Sequence, residues 1–175
     1  LPEVNPAPND LNEVIQEVVT LYAQAHPSIQ FTFVAESRLP IFNFDRDQIK
    51  RAIVNVVDNA VSVLKEDGKQ RIRTIRIETH YHSELQLAVT SIQDNGPGMT
   101  DETLARAFEP YFSTRKEGTG LGLAITKRII NDHDGFVRIF SKSSTPDTLE
   151  GPGTQFVIEL PTTHKGASTV WPSGS

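Results

Sequence analysis

The chain has 175 residues, 37% of them hydrophobic and 22% charged, which is ordinary for a globular domain followed by a tail. Its net charge of −5 argues against nucleic-acid binding driven by bulk charge, and the absence of cysteine excludes disulfides and thiolate metal sites. No apolar run approaches the roughly 20 residues of a membrane-spanning helix, so we expect no membrane contact by this segment.

The first half of the chain is predicted to alternate helices with short strands. Three prolines in residues 1–9 indicate a linker, and a helix is expected to begin at a cap formed by Asn9 or Asp10. The apolar residues that follow recur with the helical period. The further elements predicted here are a strand around Phe31 and Phe33, an apolar run at Ile41–Phe44, and a helix over Asp47–Leu64, capped by Asp45 and ending near Gly68.

The second half is predicted to form strands around two helices. Gly135 is expected to stop the last helix. The predicted elements are strands at Arg71–Thr79 and Glu84–Gln93, a short helix at Thr100–Ala107, an irregular segment at Phe108–Gly118, a helix at Thr119–Asp132, and strands at Phe136–Ser141 and Thr154–Leu160. This order favours an α/β (α+β) two-layer sandwich over a doubly wound sheet. We therefore place one domain at residues 10–160 and a flexible tail at residues 161–175.

Three glycines alternate with other residues in "RKEGTGLGLAITKR", which begins at Arg115 and runs into a predicted helix. The stretch lacks the Lys-Ser/Thr of a Walker A loop, and Leu123 replaces the third glycine of a dinucleotide-binding fingerprint. Bare backbone at a helix N-terminus can still present amides to an anion, with Arg115 and Lys116 as countercharges. A flexible hinge ahead of a buried helix explains the glycines equally well.

A second glycine loop, "SIQDNGPGMT", contains Asp94, Gly96 and Gly98 at the end of a predicted strand. Asn-Gly after an alternating strand is typical of a β-hairpin, but here the chain continues into a helix cap, which weakens that interpretation. A carboxylate at a strand end, flanked by glycines that allow close approach, suits a planar ligand with N–H donors. A third loop, Gly151–Thr154, is by itself an ordinary turn.

Asn55 and Asn59 lie one turn apart on the second predicted helix and therefore on one face. Asparagine is a poor helix former, about 0.5 kcal/mol worse than alanine, and its amide oxygen is a ligand that suits Mg²⁺. A solvated polar face is the simpler alternative. The other residues assigned to this face are Gln48, Arg51, Asp58, Ser62 and Glu66.

Five short segments occur in an order that resembles the motifs of a known family. They are "NVVDNA", "DNGPGM", "FEPYFSTR", "GTGLGL" and "GPGT", which resemble the N, G1, F, G2 and G3 boxes of sensor histidine kinases. These boxes define the catalytic ATP-binding domain of that family, within the superfamily that includes heat-shock chaperone and mismatch-repair ATPases. The run "FEPYFSTRKEGTGLGLAI" is most similar to kinases of the nitrogen-regulation sensor type. The resemblance implies a Bergerat-type fold, with a mixed sheet of about five strands on three helices and a lid over ATP.

The resemblance also implies roles for individual residues. Asp94 would accept a hydrogen bond from the adenine amino group, with Gly96 and Gly98 allowing the ring to approach. Asn59 would ligate Mg²⁺, and Asn55 would lie beside it near the phosphates. The residues implied to contact ATP are Asn55, Asn59, Asp94, Gly96, Gly98, Met99, Phe108, Phe112, Thr114, Arg115, Lys116, Gly118, Thr119, Gly120, Leu121, Gly122, Leu123 and Thr154.

Two of these residues, Asn55 and Lys116, are implied to act in catalysis. Hydrolases of the superfamily place a glutamate that activates water at the position of Asn55. An amide cannot remove a proton, so we predict little ATP hydrolysis. Lys116 or Arg115 would neutralise charge on the transferred phosphoryl group. The lid would comprise residues 108–118.

Kinases of this family phosphorylate a histidine on a separate helical dimerisation domain and then pass the phosphoryl group to the receiver domain of a response regulator. Because the chain begins at Leu1 and not at Met, we interpret it as a fragment that is competent only in trans. We expect it to be monomeric without the dimerisation helices and to lie in the cytoplasm, with a parent that could be anchored in the inner membrane. The segment His82-Ser-Glu-Leu resembles part of the phosphoacceptor box but lacks the Thr-Pro-Leu that follows there, so we do not assign it that role.

Two other functions are compatible with the same motifs. One is a serine-directed protein kinase of the superfamily, which would form an acid-stable phosphoester instead of acid-labile phosphohistidine. The other is a non-catalytic nucleotide-sensing module, which would bind ATP without transferring phosphate.

Overall fold

A computed structural model describes residues 1–115, 118–143 and 151–163. Within these ranges the chain forms four helices and seven strands. Their bounds are, in chain order, β1 (Ala7–Asn9), α1 (Leu11–Ala25), β2 (Ile29–Val34), β3 (Phe42–Phe44), α2 (Arg46–Glu66), β4 (Arg73–His82), β5 (Leu87–Asp94), α3 (Asp101–Arg106), α4 (Gly122–Asp132), β6 (Phe136–Lys142) and β7 (Gly153–Pro161).

Five of the described strands form one mixed sheet in the order β2-β4-β5-β7-β6. Strand β2 runs parallel to β4, and the other neighbouring pairs are antiparallel. Alternate residues of β4, β5 and β7 are buried, and helices α1, α2 and α4 contact the sheet. The predicted two-layer sandwich of a mixed sheet and helices is therefore confirmed.

The hydrophobic core fills the space between the helices and the sheet. Ile53 and Val56 of α2 and Ile75 and Ile77 of β4 are each at most 1% exposed. Their spacings follow the helical period in α2 and the two-residue period in β4. Helix α2 packs against both the sheet and α4, so the orientation of its polar face is fixed by the burial of its apolar face.

The caps predicted for the first two helices are confirmed. The side chain of Asp10 accepts the backbone N–H of Glu13 at 3.3 Å, and that of Asp45 accepts the N–H of Gln48 at 3.1 Å. Each cap satisfies one of the amide donors that a helix leaves unpaired in its first turn.

The predicted linker contains a short strand that the sequence analysis missed. Strand β1 pairs antiparallel with β3, and the N–H of Asn5 donates to the Asp45 carboxylate at 2.9 Å. Gln48, assigned above to the polar face of α2, is only 6% exposed because the N-terminal segment covers it, and its Nε2 donates to the carbonyl of Pro2 at 3.0 Å. A three-residue strand with a partner far away in the chain leaves no periodicity to recognise.

Helix α4 begins at Gly122, later than predicted. Gly120 has a φ of +71°, a left-handed conformation that cannot belong to the helix. At the other end, Asp134 and not Gly135 adopts the left-handed conformation, with φ +58°, and the N–H of Gly135 donates to the carbonyl of Ile130 at 2.9 Å. The stop near Gly135 is thus confirmed, but the residue that turns the chain is its neighbour.

Strand β5 also begins later than predicted. Strand β4 extends to His82, and the turn that follows contains Gln86 with φ +52°. The His82-Ser-Glu-Leu segment therefore lies at a strand end and in a turn, where no phosphoacceptor helix is present.

His133 is a buried structural residue. Its Nε2 accepts the backbone N–H of Asp45 at 3.1 Å, so the proton is on Nδ1, which donates to the carbonyl of Ile129 at 2.8 Å. The bond to Ile129 fixes the ring against α4, and the bond from Asp45 attaches the end of α4 to the start of α2.

Two predicted regions lie partly or wholly outside the described residues. One is the predicted lid, whose Lys116 is not described, and the other is the predicted tail at residues 161–175, of which only residues 161–163 are described. Strand β7 includes Pro161, so the sheet extends one residue into the predicted tail. Across the described ranges, no helix has both the length and the apolar character that crossing a membrane requires.

Candidate functional site

A cavity of about 570 Å³ opens between α2, the start of α4 and the loop after β5. Its volume is in the range of small-molecule sites. It brings the asparagine helix and the glycine loops together around one space. The predicted contact residues that line it are Asn55, Asn59, Asp94, Gly98, Met99, Phe112, Thr114, Arg115, Thr119, Gly120, Gly122, Leu123 and Thr154.

Asp94, the last residue of β5, presents a buried carboxylate at one end of this cavity and is 3% exposed. Its Oδ1 accepts the N–H of Gly96 at 2.8 Å. Burial raises the pKa of the carboxyl to about 6, although N–H bonds from Gly96 and Thr154 and the charge of Arg71 act in the opposite direction. At pH 7 the carboxyl is therefore mostly ionised, and the buried surroundings strengthen any hydrogen bond that a ligand donates to it.

Two hydroxyl groups support the wall of the cavity beside Asp94. The Oγ of Ser141 lies 2.8 Å from the Oγ1 of Thr154 and accepts the N–H of Met99 at 2.7 Å. Gly98 has a φ of +76°, and a Cβ at this position would overlap the carbonyl oxygen of Lys142. Gly98 therefore allows the loop to pass close to strand β6. This contact within the protein is a second reason for glycine here, beside the predicted approach of a ligand.

The start of α4 forms the opposite end of the cavity. No side chain among the described residues caps this helix, so the amides of its first turn are left for another acceptor. The side-chain nitrogen of Asn55 donates to the carbonyl of Gly122 at 3.1 Å and joins α2 to α4 at this point. Such a helix N-terminus attracts phosphate groups, because its amides and its dipole both favour an anion.

Asn59 lines the same cavity and fits the predicted role of a cation ligand. It is half-buried and, within the described part of the chain, its side chain has no hydrogen-bond partner. An unpaired amide oxygen suits Mg²⁺. No three His, Asp or Glu residues cluster as a preformed metal site among the residues described, so a cation here would take its other oxygens from phosphate and water.

The base of the predicted lid is held by a close backbone contact. The N–H of Tyr111 donates to the carbonyl of Gly120 at 2.9 Å, and a Cβ on Gly120 would lie 2.5 Å from the carbonyl carbon of Tyr111. Farther along the lid, an Arg115 Nη1 lies 3.9 Å from a carboxylate oxygen of Asp58 on α2. Because both of these residues line the cavity, their ion pair links the lid to α2 beside the ligand space.

Some predicted contact residues have other surroundings. The ring of Phe108 packs beneath Lys127, whose Nζ lies 5.2 Å from the ring centroid. Gly118 packs against the Ser113 side chain, where a Cβ would not fit. The described residues that were predicted to contact ATP but do not line the cavity are Gly96, Phe108, Gly118 and Leu121.

Sequence analysis also missed several residues that line the cavity. Val63 continues the face of Asn55 and Asn59 along α2, so helical spacing could have identified it; Asp58 and Glu66 were assigned to that face but were not predicted as ATP contacts. Asp67 follows the helix, and no local pattern indicates that it faces the cavity. The missed residues are Asp58, Val63, Glu66, Asp67, Gly68, Pro97, Thr100, Thr103, Ala107 and Ser113.

Residues 44–164 match a family described as "Histidine kinase-, DNA gyrase B-, and HSP90-like ATPase". The chain belongs to this ATPase family. The matched range begins just before α2 and ends just after β7, so it contains every residue that lines the cavity. The family predicted from the five motifs is confirmed.

Histidine kinases are among the proteins most similar to this ATPase domain. The signal transduction histidine-protein kinase AtoS of Escherichia coli strain K12 is 36% identical over 162 residues, which is 91% of this chain and 24% of AtoS. The chain thus spans about a quarter to a third of the length of the first curated relatives that it matches.

Solved structures show the same fold. Full-length ShkA in complex with AMPPNP superposes with a TM-score of 0.75 and 26% identity, over 95% of this chain and 33% of ShkA. The histidine kinase ThkA in complex with the response regulator protein TrrA gives a TM-score of 0.69 and 26% identity, over 91% of this chain and 42% of ThkA. The fold of a histidine kinase catalytic domain is therefore confirmed for this ATPase domain.

Proposed function

We propose that this domain binds ATP with Mg²⁺ and transfers the γ-phosphoryl group to a histidine on a separate dimerisation domain, from which it passes to the receiver domain of a response regulator. One observation carries the proposal above all. A buried carboxylate, that of Asp94, and the uncapped start of α4 lie at opposite ends of one cavity. A purine nucleotide has the matching ends, since its base donates N–H groups and its phosphates are anionic.

Asp94 would recognise the base. Its carboxylate is acceptor-only when ionised, so it accepts the adenine amino group and rejects a base that offers a carbonyl at that position. The contacts of Gly96 and Thr154 fix the direction of the carboxylate before a ligand arrives. The similarity to ShkA, which was solved with AMPPNP, supports an adenine nucleotide.

The residues at the other end would hold the triphosphate. Asn59 would bind Mg²⁺ through its amide oxygen, and the amides at the start of α4 would receive phosphate oxygens. When bound, Mg²⁺ supplies charge neutralisation to the transferring phosphoryl group. Arg115 is placed beside the cavity for the same purpose, and Lys116 remains a prediction that lies outside the described residues.

The domain would hydrolyse ATP slowly. The nitrogen of Asn55 is engaged with the Gly122 carbonyl, and its oxygen belongs to an amide, which does not remove a proton from water. Phosphoryl transfer needs positioning and charge stabilisation more than it needs a base on the enzyme. The acceptor histidine on the second domain is itself the nucleophile.

The dimerisation domain and the receiver domain are proposed as partners. ThkA, a histidine kinase with the same fold, was solved with a response regulator protein, and this supports a receiver domain as the final acceptor. We further propose that the domain acts in the cytoplasm as a monomeric catalytic unit of a larger sensor kinase, of the nitrogen-regulation type.

The experiment that tests the function is phosphorylation in trans. Radiolabelled ATP, Mg²⁺ and the domain are incubated with a separately purified dimerisation domain from a related histidine kinase, and the product is treated with acid. We expect acid-labile label on the acceptor and its loss in Asp94→Ala. The control is Glu84→Gln, an exposed residue in the turn at the far end of β5, which should keep the wild-type rate.

Each of the other outcomes points to a different function. Acid-stable label on an acceptor would favour the serine-directed kinase. ATP binding without any transfer would favour the nucleotide-sensing module. Failure to bind ATP or ADP would overturn the proposal.

A further inference from the structure

We infer that Arg71 is a positioning residue of the nucleotide pocket, which keeps the base-recognising carboxylate of Asp94 charged and able to accept a hydrogen bond. The inference rests on the proposed function, because it explains how that same carboxylate is kept ready for adenine. Arg71 does not line the cavity and belongs to none of the five motifs.

The side chain of Arg71 is anchored next to the cavity. Its Nη2 lies 2.8 Å from a carboxylate oxygen of Asp67, and the two side chains are 24% and 9% exposed. Asp67 directly follows α2 and lines the cavity. A partly buried ion pair of this kind fixes the position of the guanidinium far better than an exposed one.

Backbone and side-chain bonds bring the segment of Arg71 beside that of Asp94. Asn95, which follows Asp94, donates its side-chain nitrogen to the carbonyl of Ile72, which follows Arg71, at 2.7 Å. The Oδ1 of Asn95 also accepts the N–H of Thr74 at 2.9 Å. Asn95 therefore clamps the start of β4 against the end of β5, so the distance between the two charged residues is set by the fold.

The ion pair with Asp67 does not engage every donor of the Arg71 guanidinium. Its Nε is buried and has no hydrogen-bond partner in the part of the chain that the structure describes, so the ion pair with Asp67 leaves one donor of the guanidinium unpaired there. A buried donor without a partner is costly and is retained at few positions in a folded protein. The guanidinium is thus held beside the cavity by Asp67, and its positive charge lowers the pKa of Asp94.

Among the described residues, Arg71 is the cation that lowers the pKa of Asp94; Arg115 lines the same cavity, and Arg76 and Lys142 line a neighbouring cavity that Asp94 also reaches. From the loop after β5 and from β7 it receives the neutral N–H groups of Gly96 and Thr154, whereas Asp67 and Glu66 at the end of α2 are acidic. Burial raises the pKa of Asp94 to about 6, and the positive charge of Arg71 limits that rise. Without Arg71, the carboxyl would be protonated over more of the neutral pH range, and a protonated carboxyl accepts the adenine amino group poorly.

The test compares Arg71→Met with Arg73→Met. Arg73 is the matched control because its Nη2 donates to the backbone carbonyl of the same Asp67 at 3.2 Å, whereas its charge does not act on Asp94. The titration of the Asp94 carboxyl carbon is followed by ¹³C NMR in the nucleotide-free domain, with assignment from Asp94→Asn. ADP affinity is measured for each variant between about pH 5.5 and pH 8.5, in a window centred above the pKa of Asp94.

We expect Arg71→Met to raise the titration midpoint of Asp94 and Arg73→Met to leave it in place. A rise of about one pH unit would weaken ADP binding roughly fivefold at pH 6 and by less than about twofold at pH 8.5, relative to wild type at each pH. The ratio at each pH cancels the titration of the nucleotide itself. Arg71→Lys keeps the positive charge and should restore most of the wild-type midpoint.

A purely structural role predicts a different result. It would weaken ADP binding by the same factor at every pH and would leave the Asp94 midpoint unchanged, and either finding overturns the inference. If wild type binds no ADP at any pH, the proposed function fails; a raised midpoint in Arg71→Met would then show the electrostatic link without a role in recognition.

Discussion

The side-chain nitrogen of Asn55 lies 3.1 Å from the carbonyl oxygen of Gly122 and donates a hydrogen bond to it. The bond joins the middle of α2 to the first residue of α4, whose uncapped amides form one end of the cavity. It also fixes the orientation of the amide, because the nitrogen is turned toward Gly122 and the oxygen is turned away. The pair therefore sets the distance between the proposed cation site and the proposed phosphate site.

Replacing Asn55 by aspartate removes this donor and places a carboxylate against the Gly122 carbonyl. We expect the free energy of unfolding to fall by about 1–3 kcal/mol, because the carbonyl keeps the Thr126 hydroxyl but loses the Asn55 donor and faces a repelling carboxylate instead. ATP affinity should fall about tenfold or more, since a negative charge would face the phosphates. Urea denaturation and calorimetric titration measure the two effects. The control is Ser62→Ala, because the Ser62 hydroxyl donates to the Asp58 carbonyl at 2.9 Å within the same helix. This variant should change the free energies of unfolding and of ATP binding by no more than about 0.5 kcal/mol each.

Asp94→Asn should make stability less dependent on pH. The pKa of Asp94 is raised from 3.8 to about 6, so wild type is stabilised by this group below its unfolded-state pKa and loses that contribution as the pH rises through 6. The loss amounts to roughly 3 kcal/mol and is complete above about pH 7. An asparagine does not titrate, so the free energy of unfolding of the variant should rise relative to that of wild type as the pH increases from about 4 to about 7.

Urea denaturation of both proteins across this pH range provides the measurement, and Asp134→Asn serves as an exposed control. A constant difference between Asp94→Asn and wild type at every pH would show that burial does not perturb the carboxyl. Adenine-nucleotide binding should be lost in Asp94→Asn at every pH, because the new amide presents a donor to the base.

Gly98→Ala should lower the stability of the fold and disturb the part of the cavity that we propose binds adenine. Gly98 has φ +76°, and a Cβ would overlap the Lys142 carbonyl oxygen. We expect a loss of about 1–3 kcal/mol in stability, with weaker ADP binding as the loop moves away from β6. Gly151 is the matched control, because it does not line this cavity and a Cβ there meets no atom within 4 Å. A stable Gly98→Ala variant with wild-type ADP affinity would contradict the contact with β6.

Gly120→Ala should release the base of the lid while leaving most of the core intact. The left-handed φ of +71° and the contact with Tyr111 both exclude a side chain. Amide hydrogen exchange should become faster in the segment around Phe112, and the phosphotransfer rate should fall about tenfold or more, because the lid residues lose their positions. Gly151→Ala, which has open space around its Cβ, should behave as wild type in both measurements. Unchanged exchange would mean that the Tyr111–Gly120 bond does not hold the lid.

Local signals in the sequence predicted much of the fold. The apolar period of α2 and the alternation of β5 arise from the same burial that the structure shows, and the caps at Asp10 and Asp45 are local hydrogen bonds. Start positions were less accurate wherever a residue adopts φ > 0, as at Gly120 before α4 and Gln86 before β5. Such conformations are decided by contacts with distant backbone.

The site was predicted where its residues belong to motifs and missed where they come together only through tertiary structure. Asn55, Asn59 and Asp94 line the cavity as expected. Nothing near Arg71 in the sequence indicates that its charge acts on Asp94, because the link depends on the Asn95 bonds between β4 and β5. Phe108 was assigned to the cavity by its place in a motif, yet its ring packs beneath Lys127.

Strand β1 has a mechanical consequence for the domain. Its ladder with β3, together with the bond from Asn5 to Asp45, fastens the incoming chain to the residue that caps α2. A segment that precedes Ala7 is thus attached to the domain through β1 and does not rotate freely about the point of attachment. A twist applied ahead of β1 would be transmitted to α2, whose middle carries Asn55 and Asn59, so movement of a neighbouring module would shift two residues of the cavity without contacting it.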